Sequence, residues 1–237
     1  MRCQVEHRSN ENVTDRTRPL GPSEPVQHAV PMAVKEPRFR TIRYLEHPDD
    51  ATALRKLLVS DEWIAQHMQP GKLYVGVIQR TKSRSFLDID ALIQAIREAF
   101  PKDDMILNVT TLDTPSIVEQ AQWFSTKDVV FAAHGAALTN SIFLRPKSVV
   151  MQFYAKGFWL PSLDPLVEQS GSVALDWYPG KAKSKDPQLE MSKNTYRAKL
   201  ITNLANISFV GGGSKEIDVD TIIRPVLDVL ISLGKIH

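Results

Sequence analysis

The sequence predicts an α/β protein built on one doubly wound parallel sheet. Short apolar runs alternate with amphipathic helical patterns five times between residues 73 and 177, which is typical of helices that cross between parallel strands. The run Val129–Ala133 contains no polar residue, as expected for a strand covered by helices on both faces. The connections are long enough for right-handed crossovers, so every strand is expected to lie parallel to its neighbours.

Two helices are predicted before the first strand. Asp49 and Asp50 cap the first of them, and its apolar face consists of Ala53, Leu54, Leu57 and Leu58. A second apolar set either prolongs this helix or forms a short helix of its own, and it consists of Trp63, Ile64 and Met68.

Five strands and their crossover helices follow. The strands are predicted at Leu73–Ile78, Met105–Val109, Val129–Ala133, Val149–Phe153 and Val173–Trp177. Asp88 begins the first crossover helix, which buries Ile89, Leu92, Ile93, Ile96 and Phe100. Thr114 and Pro115 begin the second, which buries Ile117, Val118, Ala121 and Phe124. Short helices at residues 138–144 and near residues 161–169 complete the crossovers. The proposed strand order 2-1-3-4-5 places the first and third strands side by side, where ligands of such sheets bind.

The last part of the chain is predicted to close the domain. A lysine-rich loop covers residues 179–187, and a final strand covers residues 203–210. Asp218 or Asp220 then caps a helix, in which Pro225 introduces a bend or fixes the true start. Its inward residues are Ile222, Ile223, Val226, Leu227, Leu230 and Ile231.

The segment from Asp128 to Tyr154 organises the candidate site. His134, Gly135, Ala136 and Ala137 turn the chain between a buried strand and a short helix, with little side-chain bulk. Such a turn leaves backbone N–H groups at the positive end of a helix, which is a potential anion site. Asp128 itself is interpreted as a structural turn residue.

Polar side chains near this turn are further candidates. Arg80 and Arg84 follow the first strand, and arginine forms bidentate contacts with phosphate, although a solvated basic loop is the simpler alternative. His134 is interpreted as binding a phosphate or a sugar hydroxyl, with proton transfer left open, and a structural histidine with satisfied hydrogen bonds is the alternative. Thr139 and Asn140 either face the same crevice or, for Asn140, cap the helix end. Trp159 either lines a pocket or packs in the core.

These residues also carry a resemblance to a known family. The sequence HGAALTN after an aspartate-led apolar strand, followed by IFLRPKSVVMQFY, resembles the signature of glycosyltransferase family 61. The resemblance extends from about Lys72 to Tyr178, and the C-terminal helix shows a weaker similarity. The usual family form has glycine at the position of Ala137, and often at that of Lys147. The resemblance implies that Gln120 matches a position of the family pattern. It also implies that the loop after the first strand, which carries Arg80 and Arg84, binds the donor.

The resemblance implies the donor-binding, C-terminal half of a two-domain GT-B enzyme. Residues 1–43 are expected to be an irregular, partly disordered arm, residues 44–71 a remnant of an N-terminal domain, and residues 72–237 a Rossmann-like nucleotide-sugar-binding domain. Family members invert the sugar as they transfer it from a nucleotide sugar, commonly a UDP-sugar, to a protein or polysaccharide hydroxyl. The transferred group is a hexose or a pentose, and the compartment is the lumen of the Golgi or the ER. No catalytic base is assigned, and the chain alone is expected to transfer sugar poorly.

Composition and motifs exclude several other classes. The net charge is +2, without a cluster of basic and aromatic residues that would indicate nucleic-acid binding. No apolar run approaches the roughly 20 residues of a membrane span, and the first residues show no signal peptide. The single Cys3 excludes an internal disulfide. No paired acidic or histidine motif indicates a metal, so no cofactor is predicted besides the nucleotide-sugar substrate.

Two other interpretations remain open at this stage. One is a non-catalytic nucleotide- or sugar-binding module derived from a truncated glycosyltransferase. The other is an unrelated flavodoxin-like regulatory domain, whose function would not require Arg80 and His134 to lie together. A structure in which these two residues lie far apart would favour that last interpretation.

Overall fold

The protein contains a five-stranded parallel sheet in the order β2-β1-β3-β4-β5. The computed structural model describes residues 44–47, 49–81, 83–100, 103–113, 116–155, 162–177 and 222–236. The strands are β1 (Leu73–Ile78), β2 (Met105–Thr110), β3 (Val129–Ala133), β4 (Val149–Phe153) and β5 (Val173–Trp177). The fold class, the five strand positions and the strand order are therefore confirmed, and the arrangement is Rossmann-like.

Helices cover both faces of this sheet. They are α1 (Asp50–Leu58), α2 (Asp61–His67), α3 (Ile89–Ala99), α4 (Ile117–Ser125), a 3₁₀ helix (Ala136–Phe143), α5 (Asp164–Gln169) and α6 (Arg224–Ser232). Alternate residues of each central strand face opposite sides. Phe131 packs in the cluster that includes residues of α3 and α6, and Val130 packs in the cluster that includes residues of α4 and the 3₁₀ helix. This two-sided covering explains the uninterrupted apolar strands.

The predicted buried face of α1 is wrong except at Leu58, which is half-buried and packs against an apolar cluster. Ala53, Leu54 and Leu57 are exposed, the last of them to 79%. The helix instead contacts the 3₁₀ helix and α4, and it buries Ala51 and Arg55. These two residues are four positions apart and therefore lie on one side of the helix. Contact with the neighbouring helices thus determined the orientation of α1, and the leucine periodicity did not.

Smaller differences concern the ends of two later helices. The N-cap of α4 is Ser116, whose Oγ accepts from the N–H of Glu119 at 3.3 Å, whereas the predicted cap at residues 114–115 lies outside the described residues. Ile117 and Val118 in its first turn are exposed, while the later inward residues are buried as predicted. In α6, Pro225 stands at the start of the helix and Ile231 is exposed to 54%. Each of these helices packs through its other residues, so one end of its apolar stripe faces solvent.

Some predictions fall outside the described residues. They concern the arm of residues 1–43, the lysine-rich loop, the strand at residues 203–210, the caps Asp218 and Asp220, and Trp159. Among the helices that the structure describes, none combines the length and the apolar character that a bilayer crossing requires.

Candidate functional site

The arginine loop and the small-residue turn meet at the carboxyl edge of the sheet. Strands β1 and β3 are neighbours, with Ile78 opposite Ala132. The loop after β1 carries Arg80 and Arg84, and the turn after β3 begins at His134. Arg84 donates from Nη1 to the carbonyl oxygen of His134 at 2.7 Å. The structure therefore brings together residues that are about 50 positions apart in the sequence, at the edge where ligands of such sheets bind.

Gly135 allows both guanidinium groups to approach the backbone. A Cβ at this position would lie 2.8 Å from Nη1 of Arg84 and 2.9 Å from Nη1 of Arg80. These distances are shorter than a carbon–nitrogen contact permits, so any other residue would displace the arginine side chains. Arg80 is further held by its Nε, which donates to the carbonyl of Ser83 at 2.9 Å. The glycine is thus explained by the two cations beside it.

The two arginines form a positively charged pair. Within the part of the chain that the structure describes, neither forms a salt bridge with a carboxylate. Nε of Arg84 is buried and has no hydrogen-bond partner among those residues. Burial and the charge of Arg80 lower the pKa of Arg84, but a guanidinium remains protonated in proteins. Two adjacent cations that lack carboxylate partners favour an anionic ligand at this place.

Backbone strain accompanies this arrangement. Arg84 has a φ of 58°, in the left-handed region that non-glycine residues seldom adopt. Such strained residues concentrate at ligand-binding sites, where surrounding contacts hold them in place. Lys147 has a φ of 66°, and this conformation gives a physical reason for the glycine that the family pattern often has at its position.

The turn after β3 provides backbone N–H groups on the same side. The first bond of the 3₁₀ helix runs from the N–H of Leu138 to the carbonyl of Gly135 at 2.9 Å, so the N–H groups of residues 135–137 precede the helical pattern. Ala136 is exposed and Ala137 is half-buried. Thr139 is exposed, and its hydroxyl donates to the carbonyl of Ala136 at 2.7 Å. The predicted short helix is therefore a 3₁₀ helix, and its N-terminus lies beside the arginine pair.

Asn140 and Gln120 contact each other. The amide nitrogen of Asn140 donates to Oε1 of Gln120 at 2.7 Å. This bond joins α4 to the 3₁₀ helix, and Asn140 is only 8% exposed. The sequence left Asn140 open between a crevice residue and a helix cap. In the structure it connects two helices that support the turn.

His134 is buried and hydrogen-bonded. Its Nδ1 lies 2.9 Å from Oε1 of Gln152 on β4, and its ring stacks on Tyr154 with centroids 5.1 Å apart. Burial, followed by the charge of Arg84, lowers the pKa of His134 to about 4 despite the bond to Gln152. The imidazole is therefore neutral at pH 7, and it does not add a third positive charge to the site.

Behind His134 lies a polar cluster that sequence reasoning missed. The amide nitrogen of Gln152 lies 2.5 Å from the hydroxyl of Tyr154 and 3.0 Å from Oδ1 of both Asp164 and Asp176. Burial and the charge of Asp176 raise the pKa of Asp164 to about 8. Burial and the two carboxylates also raise the pKa of Tyr154. The acid pair accordingly retains a proton at neutral pH.

A comparison with known proteins identifies the family. The family described as Glycosyltransferase 61 matches residues 21–151 of the chain, which is more than half of its length.

The chain belongs to glycosyltransferase family 61.

A curated relative agrees with this assignment. The chain is 31% identical over 94 residues to protein O-linked-mannose beta-1,4-N-acetylglucosaminyltransferase 2 of Takifugu rubripes. The match covers 40% of this chain and 15% of that relative. The family-61 match includes Arg80, Arg84 and the whole turn from His134 to Asn140, and it ends one residue before Gln152.

The sequence of this family-61 chain contains a pattern that could have indicated the polar cluster. Gln152 and Asp176 each interrupt an otherwise apolar strand, and they are register partners on β4 and β5. A polar residue in a buried strand requires partners. Two of them at matching positions near the strand ends therefore indicate a shared site. Asp164 could not be assigned in this way, because it reaches the cluster from α5.

The opposite edge of the sheet has a structural function. Asp128 is 4% exposed, and it accepts from the backbone N–H of Tyr74 at 3.0 Å, from Arg145 at 2.8 Å and from Lys235 at 2.5 Å. Its interpretation as a structural residue is consistent with these contacts. A cavity of about 1040 Å³ lies beside it. The charged residues that line this cavity are paired with one another, as Lys72 is with Asp104. The cavity also contains none of the candidate residues, so we do not place the site there.

No metal site is evident among the residues that the structure describes, because no group of three or more histidine, cysteine or acidic side chains is suitably placed there. Nη1 of Arg80 lies 2.9 Å from the place that a Cβ of Gly135 would take, next to His134 in the sequence. The wide separation of Arg80 and His134 that would favour the flavodoxin-like alternative is therefore not observed.

Proposed function

We propose that the described α/β domain binds the nucleotide-sugar donor of an inverting family-61 glycosyltransferase. The observation that carries this proposal is the arginine pair, which lacks carboxylate partners among the described residues and lies beside the N-terminus of the 3₁₀ helix. The ligand is a nucleoside diphosphate sugar. Its diphosphate contacts Arg80, Arg84 and the N–H groups of residues 135–137, since cations and helix N-termini both favour phosphate.

The same contacts have a chemical consequence. As the bond between the sugar and the diphosphate breaks, negative charge increases on the departing phosphate. Donors fixed in place before the reaction stabilise this charge more strongly than they stabilise the bound substrate. In this proposal the arginines provide leaving-group stabilisation without a divalent metal. Inversion further requires a base on the acceptor side of the sugar, and no residue of this chain is assigned to that role.

The family and the relative support our choice of donor and acceptor. We take a UDP-sugar as the donor, with UDP-N-acetylglucosamine as the first compound to test, because the relative's name specifies an N-acetylglucosaminyl group. The acceptor is a protein or polysaccharide hydroxyl, the architecture is GT-B, and the compartment is the Golgi or ER lumen. The alternative is a module that binds the nucleotide sugar without transferring it. Measurement of sugar transfer to peptide and xylan acceptors distinguishes the two.

Calorimetry with the isolated chain tests the donor site. We expect UDP to bind at least about tenfold more tightly than UMP, because the second phosphate adds a charge-assisted hydrogen bond worth roughly 1.5–3 kcal/mol. Chelation of divalent metals should leave both affinities unchanged. Equal affinities for UDP and UMP would contradict a diphosphate site, and loss of binding with a chelator would contradict the metal-free leaving-group mechanism.

A further inference from the structure

The amide of Gln152 lies between the buried imidazole of His134 and a half-buried acid pair. Its oxygen is 2.9 Å from Nδ1 of His134, and its nitrogen is 3.0 Å from one oxygen each of Asp164 and Asp176. Gln152 is 2% exposed and His134 is 6% exposed, so protein groups determine both orientations.

The acid pair fixes which end of the amide faces the histidine. An ionised carboxylate accepts hydrogen bonds and cannot donate them. The pair retains one proton, and its ionised member can only accept. The NH₂ group of Gln152 therefore points to the acids, and its nitrogen lies 3.0 Å from Oδ1 of each. The amide oxygen then points to His134, and as an oxygen without hydrogen it can only accept. Nδ1 of the imidazole consequently carries the proton, and Nε2 is the nitrogen with the lone pair.

The other neighbours of His134 favour the same neutral ring. Arg84 donates to its carbonyl oxygen and places a positive charge nearby. Tyr154 stacks on the imidazole with an interplanar angle of 21° and limits its rotation. Protonation of Nε2 would therefore add a charge to a buried ring beside an existing cation, at a cost in free energy.

We propose that Gln152 is a positioning residue that fixes His134 as the Nδ1–H tautomer, so that Nε2 accepts a hydrogen bond from a hydroxyl of the bound donor. The proposal rests on the donor-binding function inferred above. It gives the site two separate tasks, since the arginines and the turn bind the diphosphate while the neutral histidine binds a hydroxyl of the ribose or of the transferred sugar. The acid pair acts through Gln152, and Gln152 acts through His134.

The tautomer can be measured directly from the ¹⁵N resonances of the imidazole in the labelled full chain. At pH 7 we expect two separate resonances for His134, with the protonated nitrogen at Nδ1 and the bare nitrogen at Nε2. This spectrum should persist to about pH 5, because the pKa of His134 is lowered to about 4. A bare Nδ1, or a doubly protonated ring at pH 7, would overturn the proposal.

Two variants separate positioning from general support of the fold. Gln152→Met removes the acceptor with little change in volume and should shift the His134 ring toward the Nε2–H tautomer. Tyr154→Phe keeps the stacked ring and the Gln152 acceptor, so it should retain the wild-type spectrum. A Gln152→Met protein that kept the wild-type tautomer would overturn the role of Gln152. If that variant fails to fold, the wild-type spectrum still decides which nitrogen carries the proton.

Ligand binding tests the second half of the proposal. Gln152→Met should weaken binding of UDP-N-acetylglucosamine about fivefold, which corresponds to one neutral hydrogen bond. If the hydroxyl belongs to the ribose, the variant should also bind UDP about fivefold more weakly. If it belongs to the transferred sugar, the affinity for UDP should be unchanged. Unchanged affinity for both ligands would overturn the hydroxyl contact. If the wild-type protein binds neither ligand, both the proposed donor binding and the hydroxyl contact are wrong. The ¹⁵N spectrum of the imidazole still tests the proposed tautomer independently.

Discussion

Replacing both Arg80 and Arg84 by alanine should weaken UDP binding by at least about a hundredfold. Each arginine contributes a charge-assisted hydrogen bond worth roughly 1.5–3 kcal/mol, so the pair contributes roughly 3–6 kcal/mol if the effects add. The side chains meet at Gly135, and residues in contact are not fully additive. We therefore expect the lower part of that range. The measurement is calorimetry of UDP with the wild type and with Arg80→Ala, Arg84→Ala and the double variant.

A matched variant controls for the loss of positive charge. Lys56 and Arg97 are exposed and lie on α1 and α3, so Lys56→Ala with Arg97→Ala removes the same charge away from the site. This control should change the affinity no more than about twofold, since exposed charges are screened by salt. Gly135→Ala provides a second variant, because its Cβ displaces both guanidinium ends without removing a charge. Equal losses in the site and control double variants would contradict the assignment of the arginines.

Replacing Asp128 by alanine should cost about 3 kcal/mol of folding stability. The buried carboxylate accepts from a backbone N–H, Arg145 and Lys235, and removing one member of a buried ion pair costs about 3–5 kcal/mol. Arg145 and Lys235 are 25% and 22% exposed, so water partly compensates and the lower value applies. Urea denaturation measures the loss, which is a large fraction of a typical 5–15 kcal/mol.

Asp104→Ala is the control variant for the stability loss expected of Asp128→Ala. Its side chain is 65% exposed and pairs with Lys72, and exposed pairs contribute about 0–1 kcal/mol. Asp104→Ala should therefore shift the urea midpoint much less than Asp128→Ala. Folded Asp128→Ala protein should also bind UDP within about twofold of wild type, because Asp128 lies at the amino edge of the sheet. If the two aspartate variants lost equal stability, the structural role of Asp128 would be wrong.

The sheet could be predicted from the sequence because its signal is local. Each central strand is a short apolar run, and every strand start was placed at the correct residue, as at Leu73 and Val149. The strand order followed from the rule that loops near a switch point carry ligands. That rule also placed Arg80 beside the turn at His134, since neighbouring parallel strands end at the same edge.

The remaining features depend on contacts between distant segments. Leu54 and Leu57 suggested the inner side of α1, but the buried side contains Arg55, and no local pattern predicts a buried arginine. Gln152 meets Asp164 only because α5 returns to the end of β4, and that side-chain contact has no periodic signal. The state of His134 also depends on burial and on the charge of Arg84. The sequence therefore predicted where the site lies better than it predicted the protonation states within it.

The position of bound UDP decides whether the donor site lies at the carboxyl edge of the sheet. A titration of ¹⁵N-labelled protein with UDP, followed through the backbone amide resonances, should show its largest shifts at Gly135, Ala136 and Ala137, together with the loop that carries Arg80 and Arg84. Amides near Asp128 and Lys235 should shift little, because they lie at the opposite edge of the sheet. The largest shifts at the amino edge, or no saturable shifts at the turn after β3, would contradict a donor site at the carboxyl edge.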